Sequence, residues 1–247
     1  MAINFAKTSY AGHFPEIWRG ECKMLPGGFK PVQDFAAGVV LHRGTAVSVD
    51  FDAHTAAVCK VAKVITGGTT SKVRIAKGHC FAAGDVIMKV GKNDKSPAIS
   101  SIDTSTAGYD VLNLASAITG LTAGDVITEA TPYGYIDAES TDEGALKVVA
   151  SGASTGQINI DAVTPYLGEK TLAANDYVKL QNASPKYAPN AVLGAVKEFD
   201  GKGIDTLDVA YEAVVLYPSL SFPVLDSWKS EGSPCMKNNP NIIFITQ

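Results

Sequence analysis

The sequence predicts an all-β chain of repeated small antiparallel β modules, sandwich- or barrel-like, with extended N- and C-terminal arms. Three observations carry that expectation. A loop phrase is stated twice and then paraphrased: Phe81-Ala-Ala-Gly-Asp-Val-Ile87, Leu121-Thr-Ala-Gly-Asp-Val-Ile127 and Leu172-Ala-Ala-Asn-Asp-Tyr-Val178. Apolar runs of strand length alternate with Gly/Ser/Thr turn clusters. Helix signals are weak, confined to Tyr109–Ser116 and Pro223–Ser230.

The repeated phrase is a turn device. An apolar anchor is followed by Gly-Asp or Asn-Asp, where the backbone tolerates positive φ, and then by β-branched or aromatic residues that enter a strand. The aspartates Asp85, Asp125 and Asp176 recur at one position of that turn, which assigns them to side-chain hydrogen bonds with nearby backbone N–H groups rather than to catalysis. Self-similarity at this grain points to duplicated β modules.

Along the chain, residues 1–34 read as an extended arm, because Pro15, Pro26, Gly27, Gly28 and Pro31 break regular elements while Trp18 and its aromatic neighbours stay adhesive. Residues 35–135 form a β module containing the Gly-Asp repeat, with strands expected at 35–41, 45–49, 57–65, 72–76, 86–90, 98–102, 111–114 and 126–130. Residues 136–217 form a second β region, with strands at 145–150, 157–160 and 177–180. It closes in a hairpin of Val192–Phe199 and Asp208–Tyr217 about the Asp200-Gly201 turn. Residues 218–247 form the C-terminal arm, broken by Pro218, Pro223, Pro234 and Pro240 and ending in the β-prone run Ile242-Ile-Phe-Ile-Thr246. An unpaired edge of that kind is an aggregation hazard, so it either completes its own sheet or docks on another subunit. Removal of Ile242–Gln247 is expected to weaken assembly while leaving the modules folded.

Composition narrows the function classes. At 247 residues the chain is long enough for one or two sizeable cores. Charged residues make up only 19% of it, which leaves apolar surface for partners. A net charge of −4 and only three arginines, Arg19, Arg43 and Arg74, argue against nucleic acid, which is approached through a basic field rich in phosphate-reading guanidinium groups. No run is long enough to span a bilayer as a helix, and the N-terminus lacks the pattern of a signal peptide. Cys22, Cys59, Cys80 and Cys235 form no C-x-x-C pair and are expected reduced.

No residue emerges as catalytic, cofactor-binding or metal-ligating. His13, His42, His54 and His79 lack zinc-site spacing, and Asp50-Phe-Asp52 lacks the remaining ligands of a calcium loop. Gly67-Gly-Thr-Thr-Ser-Lys72 lacks the spacing of a phosphate loop and reads as a hairpin tip. Neither an enzyme nor a cofactor is expected.

One stretch carries a family resemblance. Lys60-Val-Ala-Lys-Val64, Gly67-Gly-Thr-Thr70, Lys77-Gly-His79, Phe81-x-x-Gly84-Asp85, Ile102-Asp-Thr-Ser105, Tyr109-Asp-x-Leu112, Leu121-x-x-Gly124-Asp125 and Glu129-Ala130 resemble head fibre proteins of tailed phages infecting Bacteroides-like bacteria. The resemblance covers roughly residues 57–130. It implies a virion structural protein on the capsid exterior, a head fibre or decoration protein assembled in the bacterial host cytoplasm. The implied partners are the major capsid protein and further copies of the chain, as a trimer first and a dimer second. The competing expectation is an adhesion module binding bacterial surface glycan, with Tyr133, Tyr135, Tyr166 and Tyr187 as candidate sugar platforms.

Overall fold

Alternating apolar patterns broken by glycine turns leave short strands that bury themselves only by pairing with distant ones, and the computed structural model is accordingly all-β. It describes residues 17–25, 28–163, 172–201 and 205–246. In chain order the strands begin β1 Lys23–Met24, β2 Lys30–Pro31, β3 Val40–Leu41, β4 Ala46–Asp50 and β5 Thr55–Val58. Next come β6 Val61–Lys63, β7 Lys72–Ile75, β8 Ile87–Lys89, β9 Ile99–Asp103, β10 Asp110–Leu114 and β11 Val126–Glu129. Then follow β12 Gly134–Asp137, β13 Leu146–Val149, β14 Gln157–Asn159, the single-turn helix α1 Ile160–Val163 and β15 Tyr177–Gln181. The last are β16 Ala191–Leu193, β17 Lys197–Glu198, β18 Val209–Leu216, β19 Cys235–Met236 and β20 Asn239–Ile245.

An eight-stranded sheet in the order β19-β20-β18-β16-β4-β5-β2, with β1 also on β18, draws strands from each of the segments 1–34, 35–135, 136–217 and 218–247. The eight-residue β18 is its organising strand. The described part of the N-terminal segment runs along it: Trp18 bridges Val215, Arg19 N–H donates to Val214 O and Leu25 N–H to Val209 O, both within 2.9 Å. Of the two placements open to the C-terminal run, the structure shows pairing within the chain. Ile242, Ile243, Phe244 and Ile245 lie parallel to Ala213, Val214, Val215 and Leu216. The Asn239 side-chain amide ties this junction together by donating to Asn190 O and Tyr211 O at 2.8 and 2.9 Å. Leu41, Val47, Val58, Leu193, Leu207 and Val209 fill one core against this sheet and Val192, Val215, Met236, Ile242 and Phe244 another.

Residues 61–129 form two three-stranded sheets, β7-β10-β9 and β6-β11-β8. Bridges Val64–Ile75 and Val86–Ala98 join their edges, with Ile65 N–H donating to Arg74 O at 2.9 Å and Ile87 N–H to Pro97 O at 3.0 Å. The result is a closed antiparallel ring, β6-β7-β10-β9-β8-β11, without a free edge. Exchanging β6 with β9, β7 with β10 and β8 with β11 maps every pairing onto another, so the ring has an internal two-fold. Its interior holds Val73, Ile75, Ile87, Ile99, Leu112, Ile118, Leu121 and Ile127. Burying side chains of this size is what stabilises a small barrel, at roughly 1.5–3 kcal/mol each.

A third unit, β12-β15-β13-β14, packs Tyr135, Leu146, Ile158 and Leu172 about Val148 and Val178. The strand expected at 111–114 forms as β10, and the helix also open to Tyr109–Ser116 does not, because Leu112 and Leu114 alternate into the barrel. Local expectations are corrected at two places. Pro223–Ser230 holds only a 3-10 turn at Asp226–Trp228. Val192–Phe199 is divided: β16 pairs with β18, while β17 turns away to pair with β3.

Candidate functional site

The three copies of the loop phrase adopt one geometry. In each, the aspartate Oδ2 accepts the backbone N–H three residues earlier at 2.7 Å: Asp85 from Ala82, Asp125 from Thr122, Asp176 from Ala173. The residue before each aspartate has positive φ, 92° at Gly84, 94° at Gly124 and 85° at Asn175. That twist aims its N–H at a neighbouring strand, and the aspartate carbonyl points the same way. The two groups grip one buried apolar residue. Gly84 N–H donates to Ile99 O while Ile99 N–H donates to Asp85 O, both at 2.8 Å. Gly124 and Asp125 hold Val64 in the same manner, at 2.8 Å each, and Asn175 and Asp176 hold Val148 at 2.9 and 2.8 Å. Asp142, accepting Glu139 N–H, and Gln157, accepting Ser154 N–H, repeat the first half of the device. Sequence reading passed over these two because they lack the Gly-Asp or Asn-Asp pair.

The loops also carry lysine partners. Lys89 Nζ lies 2.7 Å from Asp125 Oδ2 and donates to Gly120 O at 2.9 Å. The lysine beside Asp125 holds its carboxyl below the usual range. In the symmetry-related loop Lys60 Nζ lies 2.7 Å from Asp85 Oδ2, with the side chains only 3% and 14% exposed. Glu129, equally buried, places Oε2 at 3.9 Å from Lys60 Nζ and Oε1 at 2.6 Å from Lys186 Nζ. That oxygen pair divides its tasks: Oε1 is bonded to Lys186, and Oε2 is buried without a hydrogen-bond partner. Glu129 in turn raises the Lys186 ammonium above its ordinary range. The Phe35 ring centroid stands 5.8 Å from Lys60 Nζ. Burial pushes the nearby Cys80 thiol up to about 12 and the Cys59 thiol higher still, so neither is a thiolate nucleophile. This dry cluster was not singled out from the sequence. Its one signal is a lysine and a glutamate at inward-facing positions of otherwise apolar strands, Val58-Cys-Lys-Val-Ala62 and Val126-Ile-Thr-Glu-Ala130.

A second polar group surrounds Asp110, which receives Lys77 Nζ at 2.6 Å and His79 Nε2 at 3.3 Å. His79 Nδ1 accepts Phe81 N–H at 3.1 Å. Both ring nitrogens are therefore engaged, which fixes the tautomer and leaves no nitrogen to act as a base. Desolvation by burial lowers its pKa below the ordinary value, against the opposing pull of Asp110.

The remaining candidates disperse. His42 and His54 join no cluster, His13 lies outside the described residues, and no group of three or more potential metal ligands occurs among the described residues. Asp50 Oδ1 accepts Asp52 and Ala53 N–H at 3.0 and 2.9 Å and closes a turn. Thr69 and Lys72 close the tip of the β6–β7 hairpin. Tyr133, Tyr135 and Tyr187 are half-buried against core clusters, and Tyr166 lies outside the described residues. The space between Cys59 and Trp228 amounts to about 10 Å³, room for one water at most. No described helix is long and apolar enough to cross a membrane. Comparisons with known protein families, curated proteins and solved structures found no match.

Proposed function

We propose that the chain is a non-enzymatic virion structural protein, a head fibre or decoration protein on the outside of a phage capsid, acting by self-association and by docking to the major capsid protein. The observation that carries this reading is the way the conspicuous ionisable groups are spent. Asp85, Asp125 and Asp176 close grip loops, and His79 is bonded through both nitrogens. The scaffold they brace leaves large apolar side chains on its surface, Met24, Val32, Phe51 and Val196 among them, each about half exposed. Rigid β surfaces with uncovered apolar groups and modest charge suit association, which is driven by apolar burial and completed by polar contacts at the rim. Attachment to a repeating lattice multiplies weak contacts through effective concentration. The resemblance over residues 57–130 supplies the setting, and a trimer is the first expectation for the assembly, a dimer the second.

The test has two arms. Light scattering on the purified full chain reads a trimer or dimer mass if the assembly reading holds, and a monomer at tens of micromolar overturns it. Gold-labelled antibody against the chain decorates the heads of purified particles from the producing host. Label confined to tails or to the particle-free supernatant overturns the head assignment.

A further inference from the structure

Lys60, Asp85 and Glu129 are held together by backbone as well as by charge. Glu129 N–H and Thr128 Oγ1 both donate to Lys60 O at 3.0 Å, and Glu129 pairs with Ile87, two residues beyond Asp85. The ammonium and both carboxylates are fixed in a water-poor pocket beside Phe35 and Cys80. Burial penalises charged forms, so it narrows the gap between the ion pair and its neutral counterpart, a free amine beside a carboxylic acid.

We propose that Lys60 and Asp85 condense into an intramolecular isopeptide bond, with Glu129 as the proton-transfer group. The Lys60 ammonium loses a proton to the Asp85 carboxylate, giving amine and acid. Nζ then attacks Asp85 Cγ and the C–N bond forms. Glu129 Oε2, the buried oxygen not occupied by Lys186, takes the second proton from the nitrogen and passes it to the departing hydroxyl. The C–O bond breaks and one water leaves. Amine plus acid gives amide plus water, Glu129 ends as it began, and no oxidant or cofactor enters. Fixed neighbours in a folded core have effective molarities of about 10⁵–10⁸ M, which is what lets an otherwise slow condensation proceed. The bond would staple the crossing from β5 into the barrel to the loop that feeds β8, at the joint between the central sheet and the closed ring.

The symmetry-related loop supplies an internal control. Lys89 and Asp125 are equally close, at 2.7 Å, but are 19% and 22% exposed. Among the described residues no second carboxylate lies within ion-pair distance of Lys89, whose nitrogen also serves Gly120 O. That pair stays an ordinary ion pair.

The proposal is independent of the virion reading and fails separately from it. Intact mass spectrometry of the purified full chain is expected to read one water less than the sequence mass. After trypsin, the peptide bearing Lys60 is expected joined to the one bearing Asp85, with Lys60 uncleaved. Lys60→Arg keeps a cation against Asp85 but removes the nucleophile, and restores full mass. Glu129→Gln keeps the side-chain shape and slows linkage about 100-fold or more, as loss of general acid–base catalysis does. Full mass with unlinked wild-type peptides overturns the proposal, whether or not either variant folds. A water loss mapped instead to a succinimide at Asp200-Gly201, or a link at Lys89–Asp125, also overturns it. Unchanged linkage in a folded Glu129→Gln chain removes Glu129 from the step.

Discussion

Replacing Gly124 isolates the backbone contribution of the grip loop. Its φ is 94°, and a Cβ built on it meets no atom within 4 Å. Substitution therefore costs strain and nothing else, about 1–2 kcal/mol for alanine in the left-handed region. Asparagine tolerates this region better than other side-chain-bearing residues, and Asn175 already occupies it at 85° in the third loop. Gly124→Asn should then cost a few tenths of a kcal/mol, Gly124→Ala about 1–2, and Gly124→Val more, because its β-branched side chain is the worst fit for positive φ. For a chain of this length each kcal/mol moves the melting temperature by about 2–4 °C, so the alanine variant should melt about 2–8 °C lower. Gly108 is the matched control, since its φ is not in that region and a Cβ there also meets nothing. Gly108→Ala should stay within about 0.5 kcal/mol of wild type. Thermal and urea unfolding of the five chains decide the matter. A valine variant no worse than asparagine, or a Gly108→Ala as costly as Gly124→Ala, would refute the strain argument.

Three further outcomes follow from named residues. Burial lowers the His79 pKa below 6.5, so the unfolded chain takes up the proton first as pH falls. The His79 contribution is complete above that value and is lost as pH descends from it toward the lowered folded-state pKa. Urea midpoints should drop between about pH 7.5 and pH 5, less so in His79→Gln, and a midpoint that rises on acidification contradicts the sign. Phe244 is 2% exposed and packs with Val215 and Ile242, so Phe244→Ala should cost about 3–5 kcal/mol by denaturant titration. Deleting Ile242–Gln247 removes β20 from β18 and should unfold the central sheet rather than detach an arm, with far-UV circular dichroism as the readout.

The sequence legibly recorded what is local. The three Gly-Asp or Asn-Asp corners, the hairpin tip at Gly67–Lys72 and most barrel strands follow from turn chemistry acting on nearest neighbours. Pairing across distance was not legible. The closure of β6 on β7 and of β8 on β9 each rests on a short bridge, and the seating of β20 on β18 joins residues whose fit depends on shape rather than pattern. Tyr109–Ser116 admits both strand and short helix because Asp110-Val-Leu-Asn-Leu114 spaces its apolar residues ambiguously, and burial of Leu112 and Leu114 inside the barrel decides for the strand. The buried cluster was hidden for a related reason. A lysine amid apolar residues reads as solvated until Asp85, Glu129 and Phe35 are brought to it from three other places in the chain.

The internal two-fold shows how one device acquires two characters. Both grip loops hold a lysine 2.7 Å from the same aspartate oxygen, although the lysines are not two-fold equivalents: Lys89 ends β8, while Lys60 precedes β6. What differs is the surroundings. Under the two-fold exchange Glu129 of β11 corresponds to Lys89 of β8, so one side of the ring brings a carboxylate to its neighbour and the other brings an ammonium. Lys60 stands at the crossing into the barrel, with the Phe35 ring beside it and Lys186 bonded to the other oxygen of Glu129. Lys89 has no such cover and remains about one-fifth exposed. Water screens the second pair and leaves it a modest surface ion pair. Its exclusion from the first makes separation costly, because without Asp85 the buried Lys60 ammonium keeps only the Glu129 oxygen 3.9 Å away and no hydrogen-bonded carboxylate. In the Lys60→Arg background, where no amide can form, Asp85→Ala should accordingly destabilise the chain by about 3–5 kcal/mol, against about 1 kcal/mol for Asp125→Ala, in urea titrations of the two variants. Equal losses would mean that the loops, and not their surroundings, set the energetics.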